Sequence, residues 1–152
     1  MDKFAVLIPV YNEENNVERL ADELDKLEVP YVFIDNGSKD KTATNLWLKE
    51  IPAVCIYPRR NKSFIIQLGA RTFSQEGYDW ILLVNQIKNP LTEDIQRLDN
   101  ALFWHEEEYK IFITESGLRL IHKSIFEQIK SRWFDAELNL KIKWLKWKVI
   151  KV

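Results

Sequence analysis

Apolar residues along this chain follow two rhythms. Continuous apolar runs at 4–9, 31–34, 53–57 and 81–84 have the length of strands, and the first reads as buried on both faces. Between these runs the apolar positions recur every three or four residues. Val17, Leu20, Ala21, Leu24 and Leu27 form one helical stripe, and 42–49 and the stretch after Lys62 to about Ser74 also read as helices. Strand, helix, strand, helix, strand is the order of β-α-β units, so the pattern predicts an α/β fold with a mostly parallel central sheet flanked by helices.

Polar residues punctuate these segments. After the first strand, Tyr11-Asn12-Glu13-Glu14 predicts a helix start, with Asn12 as cap and the glutamates at the positive end of the dipole. Asn36-Gly37 signals a turn. Thr92 reads as the cap of a later helix that has Glu93 and Asp94 in its first turn and Ile95, Leu98 and Leu102 on its buried face. Strands are then expected at 109–114 and 118–121, joined by the turn Glu115-Ser116-Gly117, followed by a short helix holding Ile125, Phe126 and Ile129. Asp135 reads as the cap of a helix bearing Leu138, Ile142 and Leu145, and 147–152 as a closing strand. No repeat, low-complexity segment or linker interrupts the chain, which is expected to be a single domain over 1–152.

Composition narrows the class. With 152 residues, 46% hydrophobic and 30% charged, the chain can bury a core of its own. A net charge of -1 provides no overall field for nucleic acid. The single cysteine, Cys55, cannot form an internal disulfide and is expected to be a buried strand residue in a cytoplasmic protein. No apolar run reaches the roughly 18 to 20 residues of a membrane span, and no leader pattern precedes the first strand. The lysine- and tryptophan-rich segment 141–152 has two readings, a peripheral membrane contact or a helix and edge strand whose lysines discourage aggregation.

Candidate chemistry gathers where strands end. Asp35 closes the second strand, at the side of a parallel sheet where nucleotides bind, and could accept bonds from a base or ribose. Equally, Asp35, Asn36, Ser38 and Asp40 are residues that build turns by bonding their own backbone. Pro58-Arg59-Arg60-Asn61-Lys62 is a basic loop after the third strand, either facing an anion or simply solvated. His105 and His122 lack zinc-site spacing. No Gly-x-Gly-x-x-Gly fingerprint follows the first strand.

Two motifs make a resemblance specific. Val6-Leu7-Ile8-Pro9-Val10-Tyr11-Asn12-Glu13-Glu14 and Asp35-Asn36-Gly37-Ser38-Lys39-Asp40-Lys41-Thr42 resemble the opening segments of family 2 glycosyltransferases of the GT-A fold, a Rossmann-like domain. Further on, Gly77-Tyr78-Asp79-Trp80 resembles the approach to that family's Asp-x-Asp motif. Glu115-Ser116-Gly117-Leu118-Arg119 and Trp133-Phe134-Asp135-Ala136-Glu137-Leu138 resemble segments of its polyprenyl-phosphate sugar transferases. The resemblance implies a UDP- or GDP-linked sugar as donor and a hydroxyl, glycan or polyprenyl phosphate as acceptor. It implies that Pro9, Tyr11, Glu13 and Asp35 line the nucleotide pocket, that Arg119 meets an acceptor phosphate, and that Asp135 or Glu137 acts as base. Against those roles stand plainer ones: Pro9 and Tyr11 as strand-end packing, Glu13 and Glu137 as first-turn charges, Asp135 as a helix cap and Arg119 as a surface strand residue.

One departure falls on the chemistry. Where the family carries Asp-x-Asp and its Mg²⁺ or Mn²⁺, this chain reads Val84-Asn85-Gln86-Ile87, and neutral amides are poor ligands for such hard ions. No metal ligands and no certain cofactor are therefore assigned. Lys88, Arg59, Arg60 and Lys62 are the cations that could meet a diphosphate instead. Two functions remain open, an inverting glycosyltransferase and a catalytically silent nucleotide-binding or protein-interaction module of the same fold.

Overall fold

The computed structural model describes residues 3–85, 87, 90–129, 134–144 and 148–152. Strand β1 (Phe4–Val10) is followed by α1 (Val17–Lys26), β2 (Tyr31–Asp35), α2 (Thr42–Leu48), β3 (Ala53–Cys55), α3 (Lys62–Gln75) and β4 (Trp80–Leu83). Then come α4 (Thr92–His105), β5 (Ile111–Ile113), β6 (Arg119–His122), α5 (Lys123–Gln128), α6 (Phe134–Trp144) and β7 (Val149–Lys151). The seven strands form one sheet in the order β3-β2-β1-β4-β6-β5-β7. β1 pairs in parallel with β2 and β4, β2 with β3, and β5 with β7; only β6 runs antiparallel to its neighbours β4 and β5.

β1 lies between two parallel partners, so its side chains feed both faces. Phe4, Val6 and Ile8 pack with Val17, Leu20 and Leu24 of α1 and with Ile95, Leu98 and Leu102 of α4. Ala5 and Leu7 point the other way, into Ile65, Ile66 and Ala70 of α3 and, farther along the sheet, Phe126 and Phe134. This alternation on a fully buried strand explains why residues 4–8 read as an unbroken apolar run.

Several local expectations are corrected. α1 begins at Val17, not near Glu13: Asn12 takes a positive φ of 55°, and its Oδ1 accepts the Lys39 N–H at 2.8 Å rather than capping a helix. Thr92 is the first residue of α4, and the cap comes from α1 instead. The Glu23 carboxylate accepts the backbone N–H groups of Leu91 and Thr92 and the Thr92 hydroxyl. Asp135 stands inside α6, its carboxylate engaged by side chains from β6 and α3. Cys55 is exposed because β3 forms the edge of the sheet. The expected placements of Leu145 and Trp147 lie outside the described residues, as do Gln86, Lys88, Asn89 and Trp133.

Candidate functional site

Two loops at the carboxyl ends of β1 and β2 are bonded to each other along their length. Asn12 N donates to Ser38 Oγ (2.9 Å), Glu13 N to Thr42 Oγ1 (2.8 Å) and Glu14 N to Asp40 Oδ2 (3.2 Å). In return Lys41 N donates to Glu14 Oε2 at 2.8 Å, and Asn45 Nδ2 to the Glu14 carbonyl at 3.0 Å. Asp40 also accepts the Thr42 hydroxyl and N–H on Oδ1. Burial works against its charge, but these bonds from Thr42 and Glu14 together hold its carboxyl below the usual range. Most polar side chains of both sequence motifs are thus spent on fixing one loop against the other.

Asp35 belongs to that scaffold. It is only 2% exposed and accepts the Ser38 hydroxyl on Oδ1 and the Ser38 N–H on Oδ2. Gly37 turns the chain at φ +71°, where an added Cβ would come 3.3 Å from the Ile56 carbonyl oxygen.

A third loop closes the site. Asn36 Nδ2 donates to the Arg60 carbonyl and Arg60 N donates back to Asn36 Oδ1, both at 2.8 Å, so one amide clamps the basic loop to the end of β2. The Arg59 guanidinium lies 3.6 Å from the centre of the Tyr11 ring. Asn61 caps α3 by accepting the Phe64 N–H at 2.9 Å, which sets Lys62 at the first turn of that helix.

Together these segments enclose a cleft of about 460 Å³ at the carboxyl ends of β1, β2 and β4. Pro9, Tyr11, Glu13, Arg59, Arg60 and Lys62, drawn from separate segments of sequence, all line it. Asp35 is not among its lining residues. Asn36, Asn61 and Asn85 are, although none of them stood out as a ligand residue in the sequence. Asn61 carried a recognisable signal, a cap residue just before a helical pattern. Asn85 Oδ1 is buried and has no hydrogen-bond partner among the described residues. A larger cavity, about 570 Å³, lies between α3 and α5, lined by Phe64, Leu68, Arg71 and Phe126, away from the strand ends.

Beside the cleft, Arg119 Nη1 donates to Asp135 Oδ1 (2.7 Å) and Lys62 Nζ to Asp135 Oδ2 (3.0 Å). Asp135 therefore sits one ion pair away from the cleft wall. Glu137 pairs with Lys141 on its own helix at 3.2 Å and does not line the cleft. Among the described residues, no three His, Cys, Asp or Glu side chains converge into a metal-binding group.

Comparison with solved structures places this architecture. The fold is GT-A-like. It is similar to that of glucosyl-3-phosphoglycerate synthase from Mycobacterium tuberculosis in complex with UDP, with a TM-score of 0.76 and 15% identity over 99% of this chain and 69% of that one. It is also similar to that of a cytidylyltransferase from Leptospira borgpetersenii, with a TM-score of 0.71 and 10% identity over 100% of this chain and 76% of that one. The mycobacterial synthase has also been crystallised with Mn²⁺, UDP-glucose and phosphoglyceric acid. No family model matches the chain. Over 37 residues it is 46% identical to an uncharacterized protein of Methanocaldococcus jannaschii, a stretch that makes up 24% of this chain and only 16% of that protein.

Proposed function

We propose that the cleft binds a UDP- or GDP-linked sugar and that residues 1–152 form a single glycosyltransferase-like domain, akin to family 2 and its polyprenyl-phosphate sugar transferases. One observation carries the reading. Pro9, Tyr11 and Glu13 meet Arg59, Arg60 and Lys62 in one cleft at the strand ends, where an α/β sheet receives nucleotides. An aromatic ring, a carboxylate and three cations suit a base, a ribose and a diphosphate in turn. The GT-A-like fold, shared with a synthase crystallised with UDP-glucose, supports the assignment.

In the transfer, the bond from the sugar's anomeric carbon to the diphosphate breaks as a bond to an acceptor hydroxyl or lipid phosphate oxygen forms, with inversion. Arg59, Arg60 and Lys62 stabilise the negative charge of the leaving diphosphate. A hydroxyl acceptor's proton passes to a carboxylate, and Asp135 is better situated than Glu137 because it reaches the cleft through Lys62. Arg119, on the other side of Asp135, is available to an acceptor phosphate. The acceptor is a glycan or a polyprenyl phosphate met at the cytoplasmic membrane surface. The lysine- and tryptophan-rich sequence of 141–152 is the candidate for that peripheral contact, and no described helix is long and apolar enough to cross a membrane.

A second reading is favoured by Asn85, a neutral residue where an acid would be expected. It makes the chain a nucleotide-binding or protein-interaction module without transfer. Incubation with UDP- and GDP-sugars, with and without a polyprenyl phosphate, separates the two. Release of UDP or GDP dependent on acceptor supports the transferase; binding without release supports the module; neither binding nor release rejects the nucleotide site.

A further inference from the structure

We propose that the cleft holds the diphosphate of its nucleotide without a divalent metal, with Arg59, Arg60 and Lys62 supplying the positive charge an ion would otherwise bring. This rests on the reading of the cleft as a nucleotide site and concerns only what neutralises the anion there.

The side chains present do not fit a divalent ion. Mg²⁺ and Mn²⁺ seek carboxylate oxygens, and the single carboxylate among the described residues that line the cleft, Glu13, already accepts Asn16 Nδ2 at 2.8 Å. Asp35, next to the lining Asn36, is turned onto Ser38, and Glu14, next to Glu13, accepts the Lys41 N–H. Asn85 offers one neutral oxygen. Around these stand three cations among the described residues, Lys62 with Asp135 as its partner, whose net positive charge would repel a dication and attract an anion.

The same features suit a diphosphate. The Arg59 guanidinium carbon stands 3.6 Å from the centre of the Tyr11 ring, and a guanidinium held against an aromatic ring can still offer N–H groups as a fork to phosphate oxygens. Lys62 begins the 14-residue α3, so the positive end of that helix adds to the field at the cleft wall. Asn85 Oδ1, buried and unpartnered, needs a donor that no described side chain supplies. A ribose or sugar hydroxyl is a donor of the right kind, whereas a phosphate oxygen is not. Asn85 therefore assigns the hydroxyl-bearing part of the ligand to the end of β4 and the diphosphate to the basic loop.

Calorimetric titration of the full chain with UDP and GDP, first in excess EDTA and then in Mn²⁺, tests the proposal. The dissociation constant is expected to agree within about twofold between the two conditions. Removing two charge-assisted contacts in the double variant R59A/K62A is expected to weaken binding about tenfold or more in EDTA. The variant N85D, which restores a carboxylate, is expected to bind more weakly in EDTA and to recover when Mn²⁺ is added. Circular dichroism shows whether each variant is folded. Binding that needs Mn²⁺, or that Mn²⁺ tightens tenfold, overturns the metal-free site while keeping the nucleotide reading. Absence of binding in both conditions overturns both.

Discussion

Arg119 Nη1 and Asp135 Oδ1 lie 2.7 Å apart, an ion pair that joins the antiparallel strand β6 to α6 on the flank of the cleft. The second carboxylate oxygen reaches Lys62, so Asp135 holds two cations of which one lines the cleft. Both pairs are partly solvated, so each contributes only about 0 to 1 kcal/mol to stability. Their position matters more than their energy. The isosteric D135N keeps the shape and removes the charge. It is expected to leave the fold intact and UDP binding equal or tighter, because Lys62 loses an opposing charge, while acceptor-dependent release falls by about a hundredfold or more if Asp135 is the base proposed above. Calorimetry and a release assay on the same preparation measure the two effects. Weakened binding with unchanged turnover would assign Asp135 to positioning Lys62 alone.

Asn36 is the tie between β2 and the basic loop. It is 8% exposed and makes two hydrogen bonds with the backbone of Arg60. Truncation to alanine strands a donor and an acceptor, at a cost of roughly 1 to 3 kcal/mol each where water cannot reach them. N36A is expected to lower the urea midpoint and to weaken UDP binding about tenfold, since Arg59 and Arg60 are no longer held at the cleft wall. Equal binding by N36A and the parent would show that the basic loop needs no clamp.

The legible and illegible parts of this chain divide by range of interaction. Apolar runs and stripes are local, so the strand at residues 4–8 and the stripe Val17, Leu20, Ala21, Leu24 could be read directly and are buried as expected. The order of strands and helices brings the loops holding Tyr11, Arg59 and Lys62 to one end of the sheet, and that too follows from the pattern. The helix starts are not legible locally because the groups that settle them are distant in sequence. Glu23 reaches Thr92 across 69 residues, and Asn12 reaches Lys39 across 27, neither of which leaves a local signature. The exposure of Cys55 is not legible because run length does not say whether a strand is central or at an edge. The scaffold role of Asp35 rested on Ser38 three residues on, and was legible only as one of two alternatives.

Gly69 shows packing at its closest. A Cβ there would come 2.3 Å from Leu7 Cδ1 and 3.0 Å from Ile34 Cδ1, and both of those side chains are buried. Two effects oppose each other in G69A. Alanine gains about 1 kcal/mol of helix propensity over glycine, whereas overpacking a filled core costs about 1 to 3 kcal/mol. The second is expected to win, lowering stability by about 1 kcal/mol in urea unfolding. A more stable G69A would mean that Leu7 finds another rotamer without strain.

His122 gives stability a pH dependence with a definite sign. It occupies the N-cap of α5, where Nδ1 accepts the Ser124 N–H at 3.3 Å and faces the Ser124 hydroxyl at 2.8 Å. Only the neutral ring can accept there. Burial pushes its pKa below the ordinary 6.5, assisted by the charges of Lys110 and Lys123 and opposed by Asp79 and Glu127. The unfolded chain then binds the proton more readily than the folded one, so this contribution is full above about pH 6.5 and is lost as pH falls through the folded value. Asp40 and Asp79, both held below 3.8, titrate in a separate, more acid range. Thermal unfolding between about pH 5 and 8 is expected to show a falling Tm toward acid in the parent chain and a flatter profile in H122N, where asparagine caps without titrating. Parallel profiles for the two proteins would place the acid sensitivity elsewhere.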